Sequence, residues 1–200
     1  AALLDSYSSE RIAAFHANAE NAMRSTEFMS PPSRGFDLLR EAALSLAERH
    51  PGIAQLVNPR QTEAVRYPDS ALSSPSDMLA AGPLPGEAMA DQPLRQGHLS
   101  DWIGPCFTLL ALGAARLPPC PPESLPATLR VVRVAGIGAA AGSDAEASAE
   151  VLQALGADGG GAVYLLRPDG HVAARWRAPS ATQIADAMCR ASAQHQTQQG

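Results

Sequence analysis

Apolar residues recur at helical spacing from Leu3 to about Met29, with Leu4, Tyr7, Phe15, Ala19 and Ala22 three, four or eight apart and Glu10, Arg11, Asn18 and Arg24 between them. Asp5 or Ser6 can cap this helix and Pro31-Pro32 stops it. A second helix is predicted from about Ser33 to His50, where Phe36, Leu39, Ala43 and Leu46 share one stripe and Pro51-Gly52 ends the pattern. These two helices have an apolar face and no sheet of their own. They are expected to pack on each other or on something outside this chain. From 53 to 100 the pattern dissolves, because Pro59, Pro68, Pro75, Pro83, Pro85 and Pro93 interrupt any regular element. Leu56, Val57, Val65, Tyr67, Met78 and Leu79 give the stretch too much apolar content for plain disorder, so it reads as an extended connector lying across a surface.

Beyond residue 100 the period changes. Phe107 to Leu112 reads as a short apolar strand and Ala162 to Leu166 as a continuous apolar one, as buried strands are, and Leu129 to Ala135 is a further strand. Asp144 to Leu155 reads as an alanine-rich helix ended by Gly156. Pro168-Asp169-Gly170 is a turn signal between Ala162–Leu166 and a strand in which Val172, Ala174 and Trp176 alternate with Ala173, Arg175 and Arg177, predicting a hairpin whose second strand is half-buried. Ser180 followed three residues on by Gln183 is a capping box, and Ile184, Ala187, Met188 and Ala191 carry the last helix. The polar tail from 194 is expected to fray. The fold class is therefore α/β, in four parts: an N-terminal helical segment over 1–52, the irregular connector over 53–100, a mixed sheet with flanking helices over 101–193, and the tail over 194–200. The order strand, loop, strand, helix, strand, turn, strand, helix matches a thioredoxin-like layout with its first helix shortened to a proline-rich loop.

Composition narrows the chemistry. The net charge is −5, which leaves no positive excess for phosphate backbones and argues against a nucleic-acid partner. All 15 basic residues are arginine, so lysine chemistry of the P-loop, Schiff-base or general-base kind is excluded. No apolar run reaches the roughly 18–20 residues of a membrane span, and no membrane partner is expected. Cys106, Cys120 and Cys189 form no C-x-x-C, which removes a zinc ribbon or dithiol redox motif and suggests reduced thiols in a cytoplasmic protein. No pair among His16, His50, His98, His171 and His195 has metal-ligand spacing, so no metal site is expected. G-x-S-x-G is absent, and no catalytic residue is assigned.

One segment resembles a dinucleotide fingerprint. Gly136-Ile137-Gly138 follows a strand and is expected to precede a helix, and Asp169 lies after the next strand, where an acid could hold a ribose. Against this, the distance from Gly136 to Asp169 is long, and a Pro-Asp-Gly turn accounts for Asp169 already. Gly136 and Gly138 are thus the only cofactor-binding candidates, and a plain glycine turn is the preferred reading.

Two ordered sets of motifs carry a resemblance. The first is L-L-D-S-Y-S-S-E-R (Leu3 to Arg11), then Asn18-Ala19-Glu20-Asn21, Phe28-Met29-Ser30-Pro31-Pro32 and Val57-Asn58-Pro59-Arg60-Gln61. The second is Asp101-Trp102-Ile103-Gly104-Pro105-Cys106, then L-L-R-P-D-G-H-V-A (Leu165 to Ala173). Together they are similar to the C-terminal region of FAD-dependent aromatic-ring monooxygenases of the 3-(3-hydroxyphenyl)propionate hydroxylase and phenol hydroxylase type. The resemblance implies a parent enzyme that hydroxylates a phenolic ring with NAD(P)H, FAD and O2. It also implies an N-terminal FAD-binding domain ahead of Ala1, and a C-terminal domain of thioredoxin-like fold that has lost its redox cysteines and serves packing and homodimerisation. On this reading the chain, which begins without methionine and already in helical pattern, is a piece of a longer protein and is inactive alone. Glu10 or Arg11 would brace the flavin domain through ion pairs, although an ordinary helix-to-domain contact explains them as well. The alternatives are a stand-alone thioredoxin-like interaction module and a small nucleotide-binding protein using Gly136 and Gly138.

Overall fold

The computed structural model describes residues 2–50, 52–53, 64–119, 125–139 and 142–194. The chain divides into two units, Ser8–Val65 and a second that joins Ala1–Tyr7 to Arg66–Gly200. The expected Val57–Gln61 motif, Cys120, His195 and Ala140-Ala141 of the glycine loop lie outside the described residues.

Helix α1 runs Ala2–Met29 and helix α2 Arg34–Ala47. Between them Pro31 and Pro32 withhold backbone donors, and Ser33 restarts the helix by accepting a hydrogen bond from the Phe36 N–H at 3.4 Å. Arg40 ties the two together by donating to Asp37 Oδ1 (3.1 Å) and to the Met29 carbonyl (3.4 Å). Burial follows an unexpected side of α1. Ser6, Glu10 and Ala14, an i, i+4 row, are buried, whereas the predicted apolar stripe faces outward, with Leu4 at 72%, Tyr7 at 62% and Phe15 at 67% exposure. On α2 only Ala43 of the predicted stripe is buried; Phe36, Leu39 and Leu46 are exposed.

The other unit is built on a five-stranded mixed sheet: β3 (Phe107–Leu112), β4 (Leu129–Gly136), β5 (Ala145–Ala147), β6 (Ala162–Leu166) and β7 (Val172–Trp176), in spatial order β5-β4-β3-β6-β7. Strands β3, β4 and β5 are mutually parallel, whereas β6 is antiparallel to β3 and β7 to β6. The largely apolar sequences of β3 and β6, broken in β3 only by the buried Thr108, fit central strands covered on both faces. On one face Leu110, Val132, Tyr164 and Leu166 meet Val151 and Leu155 of helix α3 (Ala149–Ala154) and its C-terminal cap. On the other, Leu109, Val163, Leu165 and Trp176 meet Ile184 and Met188 of helix α4 (Ala181–Ala191). Each of those large side chains contributes about 1.5–3 kcal/mol by leaving water.

The expected alanine-rich helix over Asp144–Leu155 is replaced by β5 and a shorter α3. The Asp144 N–H donates to the Arg133 carbonyl and its Oδ2 accepts from the Arg133 N–H, both at 2.8 Å, which docks the segment on β4 before a helix can start. Ser148 then caps α3, accepting from the Val151 N–H. The final helix begins as expected. Ser180 Oγ accepts from the Gln183 N–H (3.2 Å) and Gln183 Oε1 from the Ser180 N–H (2.8 Å). Replacing Ser180 by Ala removes half of this box, and thermal or urea denaturation is expected to show a loss of about 1 kcal/mol; an unchanged midpoint would contradict the cap.

Within the segment expected as an extended connector, residues 66–98 line both edges of the sheet, anchored by the buried side chains of Tyr67, Leu72 and Leu79. At the β7 edge the N–H groups of Ser74, Asp77 and Gly86 donate to the carbonyls of Ala173, Arg175 and Val172. At the β5 edge the Arg95 N–H donates to the Glu146 carbonyl, and the two side chains pair at 3.0 Å. A small hairpin, β1 (Pro93–Leu94) and β2 (Gly97–His98), sits beside β5. Open sheet edges invite pairing with other chains, and this arm occupies them. It also changes the picture of β7, expected to be half-buried: all five of its residues are buried.

Candidate functional site

The L-R-P-D-G-H motif forms the turn between β6 and β7. Gly170, at φ +83°, supplies the left-handed conformation the turn requires. The Arg167 N–H donates to the His171 carbonyl and the Gly170 N–H to the Arg167 carbonyl, each at 2.9 Å. Arg167 Nη2 pairs with Asp169 Oδ2 at 2.6 Å, and His171 Nδ1 lies 3.4 Å from Asp169 Oδ1. The His171 ring is 5.0 Å from that of Tyr67, so the motif also anchors the arm. Partial burial pushes the Asp169 carboxyl up, but the hydrogen bond from His171 and the charge of Arg167 outweigh it and hold the group well below the usual carboxylate range. A carboxyl lowered by folding stabilises the native state above its ordinary value of 3.8, and that contribution is lost as pH falls below it. The variant Asp169→Asn is therefore expected to lower stability at pH 7 and to flatten the acid side of the stability–pH curve. Equal acid sensitivity in both proteins would contradict the assignment.

Two arginines on and after β7 organise a buried polar knot that the strand pattern did not reveal. Arg175, on the same face as Tyr164, donates from Nη1 to the carbonyls of Ala81 (3.3 Å), Gly82 (2.9 Å) and Pro83 (3.2 Å). The Tyr164 hydroxyl donates to the Leu155 carbonyl at 2.8 Å. Burial pushes this phenol up, partly offset by the charges of Arg175 and Arg177 and a hydrogen bond with Arg175. Arg177 donates to the carbonyls of Gly156 and Gly161, each at 3.2 Å, and pairs with Asp158. Both guanidinium groups donate to backbone carbonyls of the loops, an arrangement that holds those loops in place, while Arg175 Nε is buried without a partner among the described residues. The signal available in the sequence was the pair of charges in Arg175-Trp176-Arg177, beside an otherwise apolar strand.

The glycine candidates are not arranged as a dinucleotide fingerprint. Gly136 ends β4, and the loop through Gly138 (φ +79°) leads into strand β5, so the turn does not open a helix. Leu112 pairs with both Val134 and Ala162, which puts Gly136 at the end of the sheet where β6 begins. Asp169 follows the other end of β6 and cannot share a site with it. The depression beside the glycine loop, about 410 Å³, is lined by small residues such as Ala111, Gly113 and Ala139 with Arg133 the charged member of its rim.

Cys106 and Cys189 carry free thiols. Among the described residues, no group of three or more His, Cys, Asp or Glu side chains is placed to hold a metal ion. Nor is any helix among them long and apolar enough to cross a membrane. Glu10 is buried and Arg11 exposed on α1.

No protein-family model matches the chain, and no curated protein matches it in sequence. Solved structures do match. The flavin-dependent monooxygenase PieE, in complex with FAD and substrate, superposes with a TM-score of 0.54 at 22% identity, over 84% of this chain and 32% of that one. RebC-10x, soaked with chromopyrrolic acid, gives 0.62 at 16%, over 97% and 37%. Aklavinone-11 hydroxylase, in a ternary complex with FAD and aklavinone, gives 0.52 at 19%, over 96% and 35%. The chain thus spans about a third of the length of the structures it matches. At these identities the shared property is the fold, which this chain has in common with about a third of each of those structures.

Proposed function

We propose that the chain is the C-terminal part of a flavin-dependent monooxygenase that hydroxylates a phenolic aromatic ring with NAD(P)H and O2, and that its own contribution is structural. The observation that carries this reading is the outward apolar side of the helical segment. At 100° per residue, Leu3, Tyr7, Leu4, Phe15, Ile12 and Met23 spread over roughly 200° of the circumference of α1, and all six are exposed. Polar residues such as Ser8, Arg11 and Asn18 share that arc, and the exposed large apolar side chains among them fit a helix covered by a further body. In Ser8–Val65, nine large apolar side chains among the described residues are exposed. At roughly 100 Å² each they leave on the order of 1,000 Å² of apolar side-chain surface in water. The proposed cover is the FAD-binding part of the same polypeptide, preceding Ala1.

The strand order of β4, β3, β6 and β7, with a parallel first pair and two antiparallel additions, supports a thioredoxin-like reading of the sheet unit. That unit is proposed to serve packing and homodimerisation, in a cytoplasmic enzyme. Among the described residues, the glycine turn after β4 leads on to β5 and not directly to a helix N-terminus that could face a pyrophosphate, so FAD is assigned no site there. No step of flavin chemistry is therefore assigned to this chain.

The test is to extend the reading frame upstream of the Ala1 codon, express the longer polypeptide and purify it. Retained FAD, and NAD(P)H consumption stimulated by a phenol, are expected. A longer polypeptide that stays colourless in excess FAD would overturn the proposal. A start codon directly ahead of Ala1, with the lone chain monomeric and well behaved, would overturn it too and favour a stand-alone interaction module.

A further inference from the structure

We draw no further inference here: the strongest candidate, the open cleft of about 470 Å³ between the first turns of α1, Leu72 and the Asp186–Arg190 face of α4, offers only the lone half-buried thiol of Cys189 as a nucleophile, and no second feature of the cleft points to a ligand.

Discussion

Gly161→Ala is expected to destabilise the protein by about 3–5 kcal/mol, against about 1 kcal/mol for Gly159→Ala two residues earlier. Both glycines have positive φ, +76° and +63°, so both substitutions carry the penalty of a left-handed alanine. Only Gly161 is also pressed against another segment. A Cβ there would collide with the Ala115 backbone nitrogen and stand 2.7 Å from the Leu112 carbonyl oxygen and 2.8 Å from Ala115 Cα. The obstacle is backbone at the exit of the central strand, which cannot swing aside as a side chain can. At Gly159 nothing lies within 4 Å. Urea midpoints at constant slope separate the two outcomes. Equal, small losses at both positions would mean that β6 does not enter the sheet against the end of β3.

Arg175→Leu is expected to cost about 3 kcal/mol, because three loop carbonyls lose a buried charged donor in one step. Residue 175 is 4% exposed, so water cannot readily replace the guanidinium. Arg177→Leu is the internal comparison. Its side chain is 37% exposed, so the guanidinium itself is already largely solvated, and a loss of about 1 kcal/mol is expected. Arg175→Lys is expected to keep more of the stability than Arg175→Leu, since all three carbonyls accept from the single Nη1 and an ammonium also offers three donors from one nitrogen. Limited proteolysis gives an independent readout: the arm near residues 74–86 should become cleavable in Arg175→Leu well before the sheet unfolds. Matching stabilities for the two leucine variants would show that the loop is not held from β7.

Strands β3 and β6 were legible because their residues are almost all apolar and turn residues bracket them, and the Ser180/Gln183 box marked the last helix by local chemistry alone. What stayed hidden was set by distant partners. Ala145-Glu146-Ala147 has alanine-rich, helix-favouring composition, and only its pairing to β4 and contact with residues 95–96 make it a strand. The hairpin of β1 and β2 has two residues per strand, too few for any period to show. Arg175 looked like the polar face of a half-exposed strand, since its cover comes from residues more than 90 positions earlier. For the same reason Gly136 and Gly138 could be recognised as a turn and not tested as a site: whether a helix or a strand followed depended on the docking of Asp144. The apolar stripes of α1 and α2 were read correctly as stripes. Their outward direction became visible only once the i, i+4 row of Ser6, Glu10 and Ala14 was seen to be the buried one.

The central claim is that these outward helix faces are covered by the flavin-bearing remainder of a longer polypeptide. Amide hydrogen exchange along α1 and α2, compared between the 200-residue chain and the polypeptide extended upstream, tests it most directly. Exchange is predicted to be fast over Ser8–Ala47 in the short chain, while β3 and β6 are protected, and to slow by orders of magnitude over the same residues in the extended protein. Helices equally protected in both, or an open reading frame that begins at Ala1 and yields a chain with slow exchange throughout, would contradict it.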